Sequence, residues 1–171
     1  HVDLLGPAMK VQEKLLGIPS FETPDYSAPL SQEKAILKNL KKVFLMVAGA
    51  GIQKFGPKIE KHQQLLISAA DILIEIYMAE SAILRTEKNM HRFGSESQKH
   101  QIEMCQLYLY NAVDIITKSA KNEIVSFVEG DEQRMMLMGL KRFTKYTHYP
   151  NVAGLRISIA DKVNKENAYC F

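Results

Sequence analysis

The sequence is poor in the residues on which β-sheets, disulfide scaffolds and redox sites depend. Its 171 residues include no tryptophan, nine glycines, six prolines and two cysteines. Cys105 and Cys170 lie too far apart in sequence to form a metal-ligand or redox motif, so we expect a reducing compartment. No stretch alternates apolar and polar residues for long enough to predict a β-strand, and no segment repeats. The net charge of +3 is too small to indicate nucleic-acid binding by itself.

Signals for secretion and for membrane insertion are missing as well. No secretory signal precedes the body of the chain, and the first residue is His1 instead of Met. We therefore expect a processed, tagged or excised piece of something longer. The most apolar stretch, Leu65 to Leu84, contains three carboxylates, and these argue strongly against a membrane span.

The residues that are present predict a helical protein. Apolar residues make up 46% of the chain and charged residues 24%, as in ordinary folded proteins. Met, Leu, Ile, Ala and Lys are plentiful, which favours helix over sheet. We therefore predict an all-α fold, an up-and-down bundle of four to five main helices. The predicted helical segments, of which the first is short, are approximately Pro7–Leu16, Ser31–Phe55, Ile59–Phe93, Ser95–Val128, Glu132–Tyr146 and Val152–Lys165.

Proline and glycine mark the boundaries between these segments. The stretch Gly17–Pro29 is dense in Pro and Ser and predicts a linker. The linker divides the chain into residues 1–30, with a short helix, and a helical bundle domain of residues 31–171. Gly56-Pro57 ends one long helix and Gly94 ends the next.

Short-range patterns predict how the long helices begin and meet. Ser31 is a predicted N-cap, and Ser95 with Gln98 forms a capping-box pattern. Because few residues separate the two longest helices, they must fold back antiparallel. The run Ala48–Gly51 predicts close approach by another helix, since small residues inside a helix usually accompany tight packing. It is not a dinucleotide-binding motif, because no strand precedes it and its spacing is wrong.

The stretch Leu65 to Leu84 predicts the central helix of the bundle. Its apolar residues cover nearly the whole circumference of a helix, which is typical of a buried helix. Tyr77 is predicted to lie in the core. Glu80 projects into the same apolar side, where a lone carboxylate must be paired, hydrogen-bonded or protonated. We expect a structural pair, with Arg142 or Arg156 as the suggested partner; an interface with a missing partner and a catalytic role stay open as alternatives.

The other candidate sites have plain structural explanations. Asp71 and Glu75 could form an acid–base pair, but a solvated stripe or pairing with lysines of a neighbouring helix fits their spacing better. The Glu-x-x-His pairs of a di-metal helical bundle are absent, so no metal site is expected. Cys105 lies on an apolar face and predicts a buried thiol. No phosphate-binding or nucleophile motif is present, so we expect no catalysis by this chain alone.

Four lysines gather on one side of the Ser31–Phe55 helix. Such a face is usually only solvated. The alternative function is docking to an anionic membrane surface or to an acidic partner. The residues are Lys34, Lys38, Lys41 and Lys42.

The segment Lys41 to Lys88 resembles the C-terminal helical region of long-chain and very-long-chain acyl-CoA dehydrogenases. The resemblance is strongest from Ser31 to Lys88 and rests on length and helix order beyond it. The residues that carry it are the Ala48–Gly51 run, the Lys54–Gly56 turn, Gln63, Leu66, Ala70-Asp71, Ile74, Tyr77 and Arg85, with Phe171 as a fitting C-terminal residue.

The resemblance implies a non-catalytic domain of a larger flavoenzyme of fatty acid β-oxidation. The family's flavin-binding domain and catalytic glutamate precede this region, so FAD is implied for the full-length parent and no catalytic or FAD-binding residue for this chain. The implied partner is the catalytic part of the same chain; a homo-oligomer stays open, and no nucleic acid is expected. The implied location is cytoplasmic. Contact with the inner face of a membrane stays open, although the Gly17–Pro29 linker is shorter than the insertion of the mitochondrial members. The structural or interface candidates are Glu80, Asp71, Glu75, Arg85 and Tyr77.

Overall fold

The structure, a computed structural model, describes residues 4–16 and 26–168, and these form α-helices, two short 3-10 helices and no strand. This confirms the predicted all-α fold. The 3-10 helices are Gly56–Lys61 and Glu96–Gln98. The α-helices are α1 (Leu5–Leu16), α2 (Ser31–Phe55), α3 (Gln63–Phe93), α4 (Lys99–Phe127), α5 (Gly130–Phe143) and α6 (Val152–Glu166).

The N-terminus of α2 lies where the sequence predicts, but its cap differs. The N-cap residue is Leu30, which adopts a left-handed backbone conformation with φ of 61°. Ser31 is already helical, and its hydroxyl donates to the carbonyl oxygen of Ala28 at 2.6 Å. The predicted Ser31 N-cap is therefore wrong. Leu30 is 2% exposed, so burial of its side chain accompanies the unusual backbone.

The third helix begins four residues later than predicted. Pro57 follows Gly56, and the chain from Gly56 to Lys61 forms a 3-10 helix before α3 begins at Gln63. The ring of His62 stacks on Phe55 with centroids 3.5 Å apart. A shorter 3-10 turn likewise precedes α4, and no side-chain capping bond forms at Ser95. The capping-box prediction is therefore wrong.

Helices α3 and α4 form an antiparallel hairpin, as predicted. The Tyr108 hydroxyl donates to Glu75 at 2.8 Å, and Thr86 lies 3.1 Å from the Cys105 sulfur. Residue numbers thus rise along α3 as they fall along α4. Polar contacts along both helices fix their register.

The centre of the bundle is formed by α2 and α4, not by α3 as the sequence predicts. Among the described α-helices, α2 contacts α1, α3, α4 and α5, and α4 contacts α2, α3, α5 and α6, whereas α3 contacts only α2 and α4. Fully buried side chains include Leu40 of α2, Ile72 of α3 and Leu109 of α4. The core therefore lies between these three helices, with α5 closing one side and α6 covering the outer side of α4.

The small residues of α2 permit two close helix contacts, as predicted. A Cβ atom added to Gly49 would lie 2.4 Å from the Cβ of Ala8 in α1. A Cβ added to Gly51 would lie 2.6 Å from a methyl group of Leu65 in α3. Val11 of α1 belongs to the hydrophobic core with α2, so the first described helix packs directly on the bundle. The boundary at residue 30 stays a prediction, and most of the predicted linker lies outside the described residues.

Candidate functional site

The outward side of α3 is apolar. We name this surface the α3 outer face and define it by seven side chains, each 39–68% exposed: Leu66, Ile67, Leu73, Ile74, Tyr77, Met78 and Leu84. The opposite side of the same helix is buried, with Ile72 0% and Ile83 2% exposed. The sequence prediction that Tyr77 lies in the core is wrong, because its side chain is 68% exposed. Helices α2 and α4 cover only one side of α3.

The α3 outer face is an extended apolar surface. Its seven side chains, each 39–68% exposed, lie on one helix between residues 66 and 84. Extended exposed apolar surfaces usually mark an interaction site, whereas single exposed apolar residues are normal.

Glu80 lies at the edge of α3 that borders α2. Its side chain is 39% exposed, and an oxygen of its carboxylate lies 2.6 Å from the Lys41 Nζ. The half-burial and the cationic partner agree with the sequence prediction. The suggested partners Arg142 and Arg156 are wrong, because the Glu80 side chain faces α2, where it pairs with Lys41.

Asp71 and Glu75 have different surroundings. Asp71 is exposed, whereas Glu75 is half-buried beside α4. Glu75 accepts a hydrogen bond from the Tyr108 hydroxyl, so its described partner is a tyrosine instead of a lysine. Burial first, and then the Glu75 carboxylate, raise the pKa of Tyr108 to about 12.

The lysines of α2 contact neighbouring helices. Lys34 pairs with Glu87 at 2.6 Å, and Lys41 pairs with Glu80 as described above. Lys42 lies 5.2 Å from the ring centroid of Phe143. Lys38 is exposed. Contacts within the bundle therefore involve three of the four lysines of the docking hypothesis.

A pocket of about 310 Å³ lies between α3 and α4. Its lining includes Arg85, Gln101 and Cys105. Cys105 is buried, as predicted, and burial is the main cause that raises the pKa of its thiol. A protonated, buried thiol is a poor nucleophile.

A buried polar pair in the core was not predicted. Ser68 donates to the Glu123 carboxylate at 2.7 Å, and Glu123 is only 3% exposed. The sequence pattern nevertheless indicates that Glu123 is buried. Glu123 follows Ala120 by three residues and precedes Phe127 by four, which places it on the apolar side of α4.

Comparisons with known proteins place the chain in a family. The family model for "Acyl-CoA dehydrogenase, C-terminal domain" matches residues 39–142, more than half of the chain. The chain belongs to this acyl-CoA dehydrogenase C-terminal domain family. A probable acyl-CoA dehydrogenase of Bacillus subtilis (strain 168) is 37% identical over 147 residues, which cover 86% of this chain and 24% of that protein.

A solved structure matches nearly the whole chain. It is the crystal structure of an acyl-CoA dehydrogenase complexed with FAD from Bacillus anthracis, with 35% identity and a TM-score of 0.92. The match covers 99% of this chain and 28% of that one. The chain therefore spans about a quarter of the length of these relatives.

Proposed function

We propose that this chain is the non-catalytic C-terminal helical domain of an FAD-dependent acyl-CoA dehydrogenase of fatty acid β-oxidation, and that it stabilises or assembles the full-length enzyme. The observation that carries the proposal is the match of almost the entire chain to one part of a larger FAD-complexed acyl-CoA dehydrogenase. The implied partner is the catalytic part of the same polypeptide, and the implied location is the cytoplasm. Residues of the Lys41–Lys88 segment support the long-chain or very-long-chain type.

The side chains of this domain favour assigning FAD to another part of the parent. The one Gly-x-Gly sequence is Gly49-Ala50-Gly51. Gly49 packs against Ala8 of α1, and Gly51 packs against Leu65 of α3. They are therefore not available to contact a phosphate.

Among the described residues, no group of three His, Cys, Asp or Glu side chains could hold a metal ion.

The described contacts argue against the membrane-docking alternative. Lys34 and Lys41 pair with α3 carboxylates, which reduces the positive field that this face would present to an anionic surface. Within residues 4–16 and 26–168, no helix is both long enough and apolar enough to cross a bilayer.

The test is removal of this region from the full-length parent enzyme. A parent truncated before Leu30 should retain FAD and some acyl-CoA oxidation, because the catalytic groups lie elsewhere. Its melting temperature should fall by a few °C, since a loss of 1 kcal/mol shifts a domain of 150–250 residues by roughly 2–4 °C. Loss of FAD binding with an unchanged melting temperature would contradict a stabilising role. Absence of an acyl-CoA dehydrogenase region upstream of His1 would end the proposal.

A further inference from the structure

Helix α3 has two apolar sides, each with the spacing of a helix-packing surface. On the buried side are Leu65, Ser68, Ile72, Ile76, Ala79, Ile83 and Thr86. On the outer side, positions 66, 70, 73, 77, 81 and 84 follow steps of three and four residues. Ala70 and Ser81 are exposed and small, so an apposed helix could approach α3 closely at these two positions. A second helical layer would therefore fit on the outer side as the bundle fits on the inner side.

Exposed apolar surface is concentrated on this side of the domain. Among the side chains that the structure describes, seventeen large apolar ones are exposed, and seven of them form the α3 outer face. Others, such as Met138 of α5 and Ile157 of α6, lie on separate helices. A single concentrated surface indicates one neighbour, since scattered exposed apolar residues are normal.

Positive charges at one end of the α3 outer face favour a neighbour with negative charge there. Arg85 and Lys88 are exposed there, and among the described residues neither has an ion-pair partner. Near the opposite edge, Glu80 and Glu87 already pair with α2. A neighbour with an acidic group beside Arg85 would therefore complement this end.

The N-terminal part of the chain contacts a different side of the bundle. Ala8 of α1 lies against Gly49 of α2. Tyr26 lines a pocket with Arg142 of α5 and with Lys145, which follows that helix. The described residues on both sides of residues 17–25 therefore lie beside α2 and α5. The α3 outer face is on another side of the bundle.

We propose that the α3 outer face is the surface on which the preceding catalytic part of the same acyl-CoA dehydrogenase chain docks, through an apolar groove between helices that carries an acidic group opposite Arg85. This rests on the proposed function. Relatives carry about three quarters of their length outside the matched region. A covalently joined neighbour acts at an effective concentration that reaches the millimolar range, so it occupies the surface before a second copy does. Interfaces between domains of one chain bury roughly 600–1,500 Å², and seven large exposed side chains on one helix can supply a substantial part of such an interface.

The experiment uses photo-crosslinking in the full-length, FAD-loaded enzyme. Tyr77 is replaced by p-benzoylphenylalanine, and the matched control carries the same replacement at Tyr149. The two tyrosines are 68% and 70% exposed, so they differ in location and not in accessibility within this domain. Tyr77 should give a monomer-sized product whose crosslinked peptide precedes the 171 residues, at a yield several-fold above that from Tyr149.

A charge reversal tests the acidic group. Arg85→Glu should lower the Tyr77 crosslinking yield several-fold, because it would place like charges together. Lys38→Glu, a reversal on the exposed side of α2, should leave the yield unchanged. Equal crosslinking yields in the two variants would contradict the proposal of an acidic group opposite Arg85.

Three results would overturn the docking surface. These are a dimer-sized Tyr77 product, a crosslink to residues 17–25, and a Tyr77 yield no higher than that of Tyr149. If any occurs while truncation before Leu30 still lowers the melting temperature, the domain stabilises the enzyme through another surface. The proposed function then stands and the docking proposal fails.

Discussion

Glu123 is a buried carboxylate in the core of a helical bundle. It is 3% exposed, and its described hydrogen-bond donor is Ser68 on the facing helix. A carboxylate removed from water loses several kcal/mol of hydration unless donors replace it. The hydroxyl of Ser68 is therefore important for stability out of proportion to its size.

Replacing Ser68 with alanine should destabilise the chain. Ser68→Ala leaves the buried carboxyl group of Glu123 without its described donor, and an unsatisfied buried polar group costs about 1–3 kcal/mol. The control is Ser81→Ala, which changes an exposed serine on the same helix and should alter the free energy of unfolding by less than about 0.5 kcal/mol. Urea unfolding measures both. Equal effects would show that the Ser68–Glu123 bond does not stabilise the fold.

Tyr108 should make stability depend on pH in the alkaline range. Its pKa is raised from 10.0 to about 12, first by burial and then by Glu75, so the folded state holds the proton more tightly than the unfolded state. This stabilisation is complete below about pH 9 and is lost as pH rises from about 10 to 12.

The variant Tyr108→Phe isolates this contribution. The difference in unfolding free energy between the wild-type chain and Tyr108→Phe should be constant below about pH 9 and should shift against the wild type above about pH 10. Urea unfolding at a series of pH values measures it. Parallel curves up to about pH 11.5 would contradict a raised pKa at Tyr108.

Helix α2 combines a prediction that was confirmed with one that was wrong. Its end at Phe55 was predictable because Gly56-Pro57 interrupts an α-helix, although the chain continues as a 3-10 helix. Its cap was not predictable, because burial of Leu30 in the tertiary structure places that residue at the N-cap instead of the favourable Ser31. The sequence predicted that other helices approach its small residues closely. It did not predict the partners Ala8 and Leu65, because they are distant in sequence.

Substitution of Gly49 tests the contact between α1 and α2. An alanine inside a helix normally stabilises by about 0.5–1 kcal/mol relative to glycine. Gly49→Ala should instead destabilise by about 1–3 kcal/mol, because the new methyl group overlaps Ala8. Thermal or urea unfolding gives the sign.

Two further variants separate overlap from other causes. Gly51→Ala meets the flexible end of Leu65 and should cost less than Gly49→Ala. Adding Ala8→Gly to Gly49→Ala restores space and should recover part of the lost stability. Stabilisation by Gly49→Ala alone would refute the close approach of α1.

At the scale of the whole molecule, the helix order was predictable and the centre of the bundle was not. Apolar periodicity identifies which side of a helix is buried only when the other side is polar. In α3 both sides are apolar, so the pattern could not show that Ile72 faces the core and Ile74 faces outward. The same ambiguity led to the wrong partners for Glu80. The comparisons supply what the pattern lacks, namely that the chain matches one part of larger relatives.

The two apolar sides of α3 also affect how amino-acid substitutions are tolerated. Exposed positions ordinarily accept polar residues with little effect. Ile74 and Leu84 would be classed as tolerant from their exposure in this domain. If the rest of the parent covers them, selection should keep them apolar. In an alignment of homologues, the outward positions of α3 should then vary as little as the core, whereas exposed positions such as Met138 of α5 vary freely.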